Sequence, residues 1–334
     1  MKAARFPRRG APLEVVDVPS PTPAAGEVLL RVEACGVCHS DVGVQSGGRP
    51  GSAFPRIPGH EVIGRITEVG ERVTGWSIGD RAGVGWHGWH DGTCATCRRG
   101  DTFACPQQKI TGQAFDGGYA EFMVAPVEGL AAVPPELTSV EAAPMMCAGV
   151  TTYNALRHSD ARAGDVVAVL GIGGLGHLAV QYAAKMGFRT VAIGRGAEKA
   201  SFAHRLGAAV YLDSAAQDAG AELARLGGAR VILTTATDAG AIASVLPGLA
   251  VHGTLLVVGV PRDPVPVAVP LLLRGRASVA GWYSGVAADS EDTLRFSVLT
   301  GVRPMTEVFA LDAAPTAFER MLQGSVRFRA VLTP

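Results

Sequence analysis

Cys38, in Gly36-Val37-Cys38-His39-Ser40-Asp41, and His60, in Gly59-His60-Glu61, stand about twenty residues apart. A thiolate sulfur and an imidazole nitrogen are both good zinc ligands, but two ligands do not hold a metal. A third donor is available in Met146-Cys147-Ala148-Gly149, apart from the compact cluster Cys94, Cys97 and Cys105. Three protein ligands with an open fourth position describe a catalytic zinc rather than a structural one. Zinc lowers the pKa of a bound water from about 15.7 to about 7. The same effect on an alcohol oxygen prepares the neighbouring carbon to lose a hydride, and in reverse the metal polarises a carbonyl.

A hydride needs a carrier, and the chain has a motif suited to one. Gly171-Ile172-Gly173-Gly174-Leu175-Gly176 follows an apolar strand expected at 165–170 and opens a helix expected over 177–186. Gly171 permits the tight turn, Gly173 lets the backbone approach a pyrophosphate, and Gly176 allows close helix–strand packing. The helix N-terminus then offers free N–H groups to the phosphates. With a second strand at 190–193, this makes a βαβ unit within about 30 residues, which favours a parallel sheet. That strand ends Ile193-Gly194-Arg195-Gly196, and Gly194 takes the place where an NAD-binding unit carries an acid for the ribose. Glycine leaves room for a 2′-phosphate, Arg195 supplies a guanidinium fork, and Lys199 follows one helical turn on. NADP(H) is therefore expected in preference to NAD(H).

Two kinds of element position these groups. Up to about residue 141 the chain is short strands and turns, with strands expected at 27–32, within 61–73 and at 120–124. Proline clusters mark turns at Pro19, Pro21 and Pro23 and at Pro50, Pro55 and Pro58. From about residue 138 the texture becomes apolar and helical, at 140–148 and 152–157. Further strands are expected at 231–235, 255–260 and 278–282, helices at 293–299 and 313–322, and a last strand at 328–333.

With 334 residues, 48% hydrophobic and 18% charged, the chain suits two globular domains with large cores. A formal net charge of zero gives no electrostatic reason to expect nucleic acid or an anionic membrane as partner. Met1-Lys2-Ala3-Ala4-Arg5 leads into no apolar run of signal-peptide length, and no stretch is long enough to span a bilayer. Without a secretion signal, six clustered cysteines argue for metal and a reducing, cytoplasmic setting rather than disulfides.

The segment around Cys38, and Gly59-His60-Glu61-Val62-Ile63-Gly64 continuing through Gly70 and Val73 to Gly79-Asp80-Arg81, resemble the zinc signature of the zinc-dependent medium-chain alcohol dehydrogenases. The similarity runs over nearly the whole chain. It implies an α/β fold: a Rossmann doubly wound parallel sheet at 149–284, and a discontinuous all-β chaperonin-10-like (GroES-like) catalytic domain at 1–148 and 285–334. The resemblance also implies catalytic zinc on Cys38, His60 and Cys147, with Glu61 behind it as a transient or fourth ligand. Asp41 would orient His60, and Ser40 would pass the substrate proton toward the nicotinamide ribose. His39 and Arg329 would face the pyrophosphate, and Trp86 and His87 would line the substrate pocket. Many relatives end the proton relay with a histidine where this chain has Gly43.

Cys94, Cys97 and Cys105 carry the spacing of that family's structural zinc lobe, with Asp91 in place of its first cysteine. A carboxylate can complete a closed tetrahedral site. The resemblance further implies a homodimer, or a homotetramer built from dimers, joined at the apolar strand around 278–282. The activity implied is hydride transfer between an alcohol–carbonyl pair and a nicotinamide cofactor. Two alternatives remain open on the sequence: a zinc-free quinone or enone reductase, and a non-catalytic cofactor-binding protein of the same fold.

Overall fold

The computed structural model describes residues 1–48 and 53–334, so the turn expected at Pro50 lies outside the described residues. The chain forms two compact units, Met1–Val150 with Ser284–Pro334, and Thr151–Tyr283.

The second unit is built on six parallel strands in the spatial order Val210–Asp213, Arg189–Gly194, Val166–Leu170, Ala229–Thr234, Leu249–Val257, Ser278–Gly281. Numbered along the chain, that is 3-2-1-4-5-6, the order of dinucleotide-binding sheets. The central strands are continuous apolar runs because helices cover both faces of such a sheet. Ala168, Leu170, Val191, Ile193 and Ile232 are all fully or nearly fully buried in its core. Burying a side chain of this class contributes roughly 1.5–3 kcal/mol. The strand order reverses between Val166–Leu170 and Ala229–Thr234, and the glycine loop leaves the sheet there.

The first unit carries a seven-stranded sheet in which Glu27–Gly36 is central. Val28, Leu30 and Val32 share one core. On the alternate face Leu29 is buried too while Arg31 is exposed, so from Val28 on the strand is covered on both faces except at Arg31 and Glu33. Glu27–Gly36 pairs antiparallel with Val62–Val69, setting Cys35 opposite Val62. The chain leaves one strand toward Cys38 and enters the next from His60 and Glu61, so the two segments meet at one end of the sheet. On the other side, Arg329–Thr333 pairs antiparallel with the same strand end, Val331 opposite Gly36. That register brings Arg329 to the same place from nearly 300 residues away.

One expected element is broken, with a consequence for the site. Instead of a helix over 140–148 there is a capped turn, Ser139–Ala142, then a 3₁₀ segment, Ala143–Met146. Pro144 lacks the N–H that would continue the α-helix, and its ring clashes with the preceding turn, so the backbone tightens. Cys147 sits at the break with φ −133° and ψ −70°, before the helix Ala148–Arg157. The strand expected at 255–260 begins earlier, at Leu249, and ends at Val257. Thr306–Ala310, a partly exposed edge strand lacking a regular alternation, has no counterpart among the expected elements.

Candidate active site

Cys38, His60, Glu61 and Cys147 converge, with one ligand atom from each lying within 4.8 Å of all the others, and all four side chains are buried. The two sulfurs are 3.9 Å apart. Two thiolates on a tetrahedral zinc, at about 2.3 Å each, would stand about 3.8 Å apart. Both nitrogens of His60 and Oε2 of Glu61 are buried without a hydrogen-bond partner. Buried polar atoms are ordinarily paired, so these orphans, beside two sulfurs, fit a borderline-soft divalent cation such as zinc.

Charge in the cluster is arranged around the ligands. The contact with the Cys147 sulfur holds the Cys38 thiol well below its ordinary pKa against the pull of burial, with His60 adding to the effect. The same contact, together with burial, pushes Cys147 well above. Burial works against a charged His60, but Asp41 and Cys38 outweigh it and raise its pKa well above the usual value. Burial lifts Glu61 to about 7, against the opposing charge of Arg329. Glu61 Oε1 pairs with the buried Arg329 guanidinium. Burial opposes the Arg329 charge, and Glu61 more than compensates. Gly36 makes room for this pair: a Cβ there would lie 1.9 Å from Glu61 Oε2.

Asp41 is fully buried and presses on His60, with Oδ1 3.2 Å from Nδ1, close but not aligned as a full hydrogen bond. Its Oδ2 accepts from the Cys38 N–H at 3.1 Å and the Tyr119 hydroxyl at 2.8 Å. Ser40 makes no side-chain cap at the start of the helix Asp41–Gln45, so its hydroxyl is not committed to the turn. His39 and Ser40 are both exposed.

Trp86 stands edge-on to His60, with ring centroids 4.8 Å apart. His87 instead stacks on Phe103 at 6.0 Å and lies 5.8 Å from His90. Trp86 lies in a bend and His87 opens the strand His87–Trp89, and the two rings meet different neighbours. Burial, with His90 second, lowers the His87 pKa.

Asp91, Cys94, Cys97 and Cys105 form a second group with ligand atoms within 4.8 Å of one another. Cys94 and Cys105 sulfurs are 4.0 Å apart, and all six cysteines are free. Asp91 Oδ1 accepts the N–H groups of Cys94 at 2.8 Å and Thr93 at 2.7 Å, which hold its pKa well below the carboxylate range.

In the other unit, Gly171 has φ +93°, and a Cβ on Gly176 would fall 1.8 Å from the Gly171 carbonyl. Nothing lies within 4 Å of a Cβ on Gly173, the open approach a pyrophosphate needs. His177 Nδ1 lies 3.0 Å from the Gly173 carbonyl and ties the loop to the helix Gly176–Lys185. A cavity of about 260 Å³ runs past Gly171, Gly194, Arg195, Lys199 and Asp238. The loop after the second strand is held from the third: the Tyr211 hydroxyl donates to the Gly196 carbonyl at 2.7 Å, and Asp213 accepts the Gly196 N–H at 2.8 Å. Sequence reasoning missed Tyr119, His177, Tyr211 and Asp213, since each acts through a neighbour distant in sequence or by one turn of helix. Only Asp213, opposite Gly194 in the register of adjacent strands, carried a readable signal.

Residues 24–135 match the family model described as the alcohol dehydrogenase GroES-like domain, and residues 174–298 match that of the zinc-binding dehydrogenases. The alcohol dehydrogenase notN of Aspergillus sp. (strain MF297-2) is 46% identical over 332 residues, 99% of this chain and 97% of that protein. The chain belongs to the zinc-dependent medium-chain alcohol dehydrogenases. Within that family, the crystal structure of AibC superimposes with a TM-score of 0.92 at 32% identity, covering 100% of this chain and 96% of that one. The CAD of Helicobacter pylori complexed with NADP(H) gives 0.87 at 26%, covering 99% and 97%. The family's two folds, GroES-like and Rossmann, account for the two units, although the first is not all-β, since the helices Ala287–Thr300 and Ala314–Leu322 belong to it.

Proposed function

We propose that this protein is a zinc-dependent alcohol dehydrogenase that moves a hydride between a small alcohol–carbonyl pair and a nicotinamide nucleotide. The observation that carries this is the buried convergence of Cys38, His60, Glu61 and Cys147, with His60 Nε2 left unpaired. Zinc supplies a Lewis acid that lowers the pKa of an alcohol and polarises a carbonyl. The chain's own residues do the rest. Cys38, His60 and Cys147 hold the metal, Glu61 waits behind it paired with Arg329, and Trp86 walls the substrate side of His60. Ser40, exposed and uncapped, takes the substrate proton; with Gly43 offering no base, water completes the relay.

In this reading Met1–Val150 with Ser284–Pro334 is the catalytic domain, and Thr151–Tyr283 binds the nucleotide. Gly171, Gly173, Gly174, Leu175 and Gly176 take the pyrophosphate. His39 and Arg329 are further candidates for binding the nucleotide, Arg329 with a guanidinium already paired with Glu61. Arg195 and Lys199 border the cavity beside Gly194, where the strand ends without the usual ribose-binding acid, so a 2′-phosphate there would meet two cations; this supports a preference for NADP(H). The NADP(H) complex of the Helicobacter pylori relative supports it too. Asp91, Cys94, Cys97 and Cys105 hold a second, structural zinc.

Among the described residues no helix is long and apolar enough to cross a membrane. The free cysteines, which suit a reducing compartment, support a cytoplasmic location. Nicotinamide oxidation by the metal-analysed protein, followed with a panel of aldehydes, ketones and enones, tests the reaction class. Turnover of aldehydes or ketones that is lost with the metal is expected. Turnover of enones alone, unaffected by chelation, overturns it.

A further inference from the structure

Tyr119 is fully buried, and the carboxylate that presses on His60 is the partner of its hydroxyl. The segment that presents it is laced to the one that presents His60. Gly117 N–H donates to Ile57 O, Gly118 N–H to Gly59 O, and Tyr119 N–H to Pro58 O, at 2.8, 3.1 and 3.1 Å. Gly59, with φ +101°, is shaped to that ring: a Cβ there would meet Tyr119 Cδ1 at 2.4 Å. A phenylalanine would fill the same space, so the packing alone does not call for the hydroxyl. What the hydroxyl adds is a donor to Asp41 Oδ2, alongside the Cys38 N–H. With both donors on Oδ2, Asp41 Oδ1 is left facing His60 Nδ1 at 3.2 Å. A proton on Nδ1 then faces the carboxylate, and Nε2 keeps its lone pair free for a metal.

We propose that Tyr119 is a positioning residue for the catalytic metal: its hydroxyl fixes Asp41 against His60, and Asp41 fixes the tautomer and orientation of the imidazole. This rests on the reading of Cys38, His60 and Cys147 as metal ligands. Outer partners of ligating histidines are typically worth 10–100-fold in metal affinity. Tyr119 acts one bond further out, through Asp41, and removing one oxygen atom leaves the rest of the packing in place.

The test titrates demetallated wild-type protein and Tyr119→Phe with zinc against a competing chelator, and records the visible spectrum of each with cobalt in the site. Tyr119→Phe is expected to bind the Cys38–His60–Cys147 metal about 10-fold or more weakly and to shift the cobalt bands, with the Asp91 lobe unchanged. Because the effect runs through Asp41, Tyr119→Phe should add nothing in an Asp41→Asn background. Unchanged affinity and spectrum, or an equal loss in the Asp41→Asn background, overturns the role of Tyr119 while leaving the metal reading intact. Wild-type protein that takes up no metal at this site overturns both. Should Tyr119→Phe fail to fold, 4-aminophenylalanine and 4-fluorophenylalanine at residue 119 make the same comparison, donor against non-donor.

Discussion

At the scale of single residues, the site depends on small side chains as much as on ligands. Gly36 lies on a strand, where glycine weakens pairing and usually marks a close approach. The approach here is that of the Glu61 carboxylate, which a methyl group at residue 36 would overlap. Gly36→Ala should therefore displace Glu61 from Arg329 and cost about 1–3 kcal/mol by overpacking. Calorimetry on the variant would show a lowered Tm, whereas an unchanged Tm would mean that the Glu61–Arg329 pair adjusts freely. That Cys38 and His60 are candidate metal ligands could be read from residue type, and their convergence with Cys147 is what the structure adds. The engagement of Arg329 with Glu61 could not, because it depends on antiparallel pairing between residues nearly 300 apart in the chain. Trp86 and His87, both given to the substrate pocket by the resemblance, meet different neighbours, His60 and Phe103.

At the scale of elements, the strongly patterned pieces were legible and the short or interrupted ones were not. Val166–Leu170, the glycine loop and Arg189–Gly194 announce themselves by a buried apolar run, a turn motif and a second run. The 3₁₀ break at Cys147 was hidden, since apolar periodicity continues through it and only Pro144 hints at the interruption. That break matters, because it ends one helical segment and starts another at the ligand itself. The loop after Arg189–Gly194 carries the cofactor prediction. Hydrogen bonds from a charged group are worth about 1.5–3 kcal/mol, and about 1.4 kcal/mol is tenfold in affinity. Arg195→Ala should weaken NADP(H) by about 10–100-fold and leave NAD(H) nearly unchanged. Steady-state kinetics with both nucleotides checks this; equal effects on the two would show that the loop does not select between them.

At the scale of the whole molecule, the parallel sheet ends on an open edge. All four residues of Ser278–Gly281 are exposed, including Val279, and Val251, Val260, Val269, Leu273 and Tyr283 of the same unit are exposed as well. An apolar strand edge is a template for pairing, and a second copy related by a two-fold axis would cover it. A homodimer, or a tetramer of dimers, is expected by light scattering at micromolar concentration, with Val279→Lys shifting it toward monomer. A wild-type monomer would contradict this.

Cys147, which the fold delivers from a helix break, is proposed as the third ligand of one catalytic zinc. Zinc per chain and alcohol oxidation, measured together on wild-type protein and on folded Cys147→Ala, test it most directly. Cys147→Ala is expected to lose about one zinc per chain, to keep its nucleotide affinity, and to fall below about one hundredth of wild-type activity, beyond the 10–100-fold cost of losing an outer partner alone. A folded Cys147→Ala protein with wild-type zinc content and wild-type turnover would contradict it.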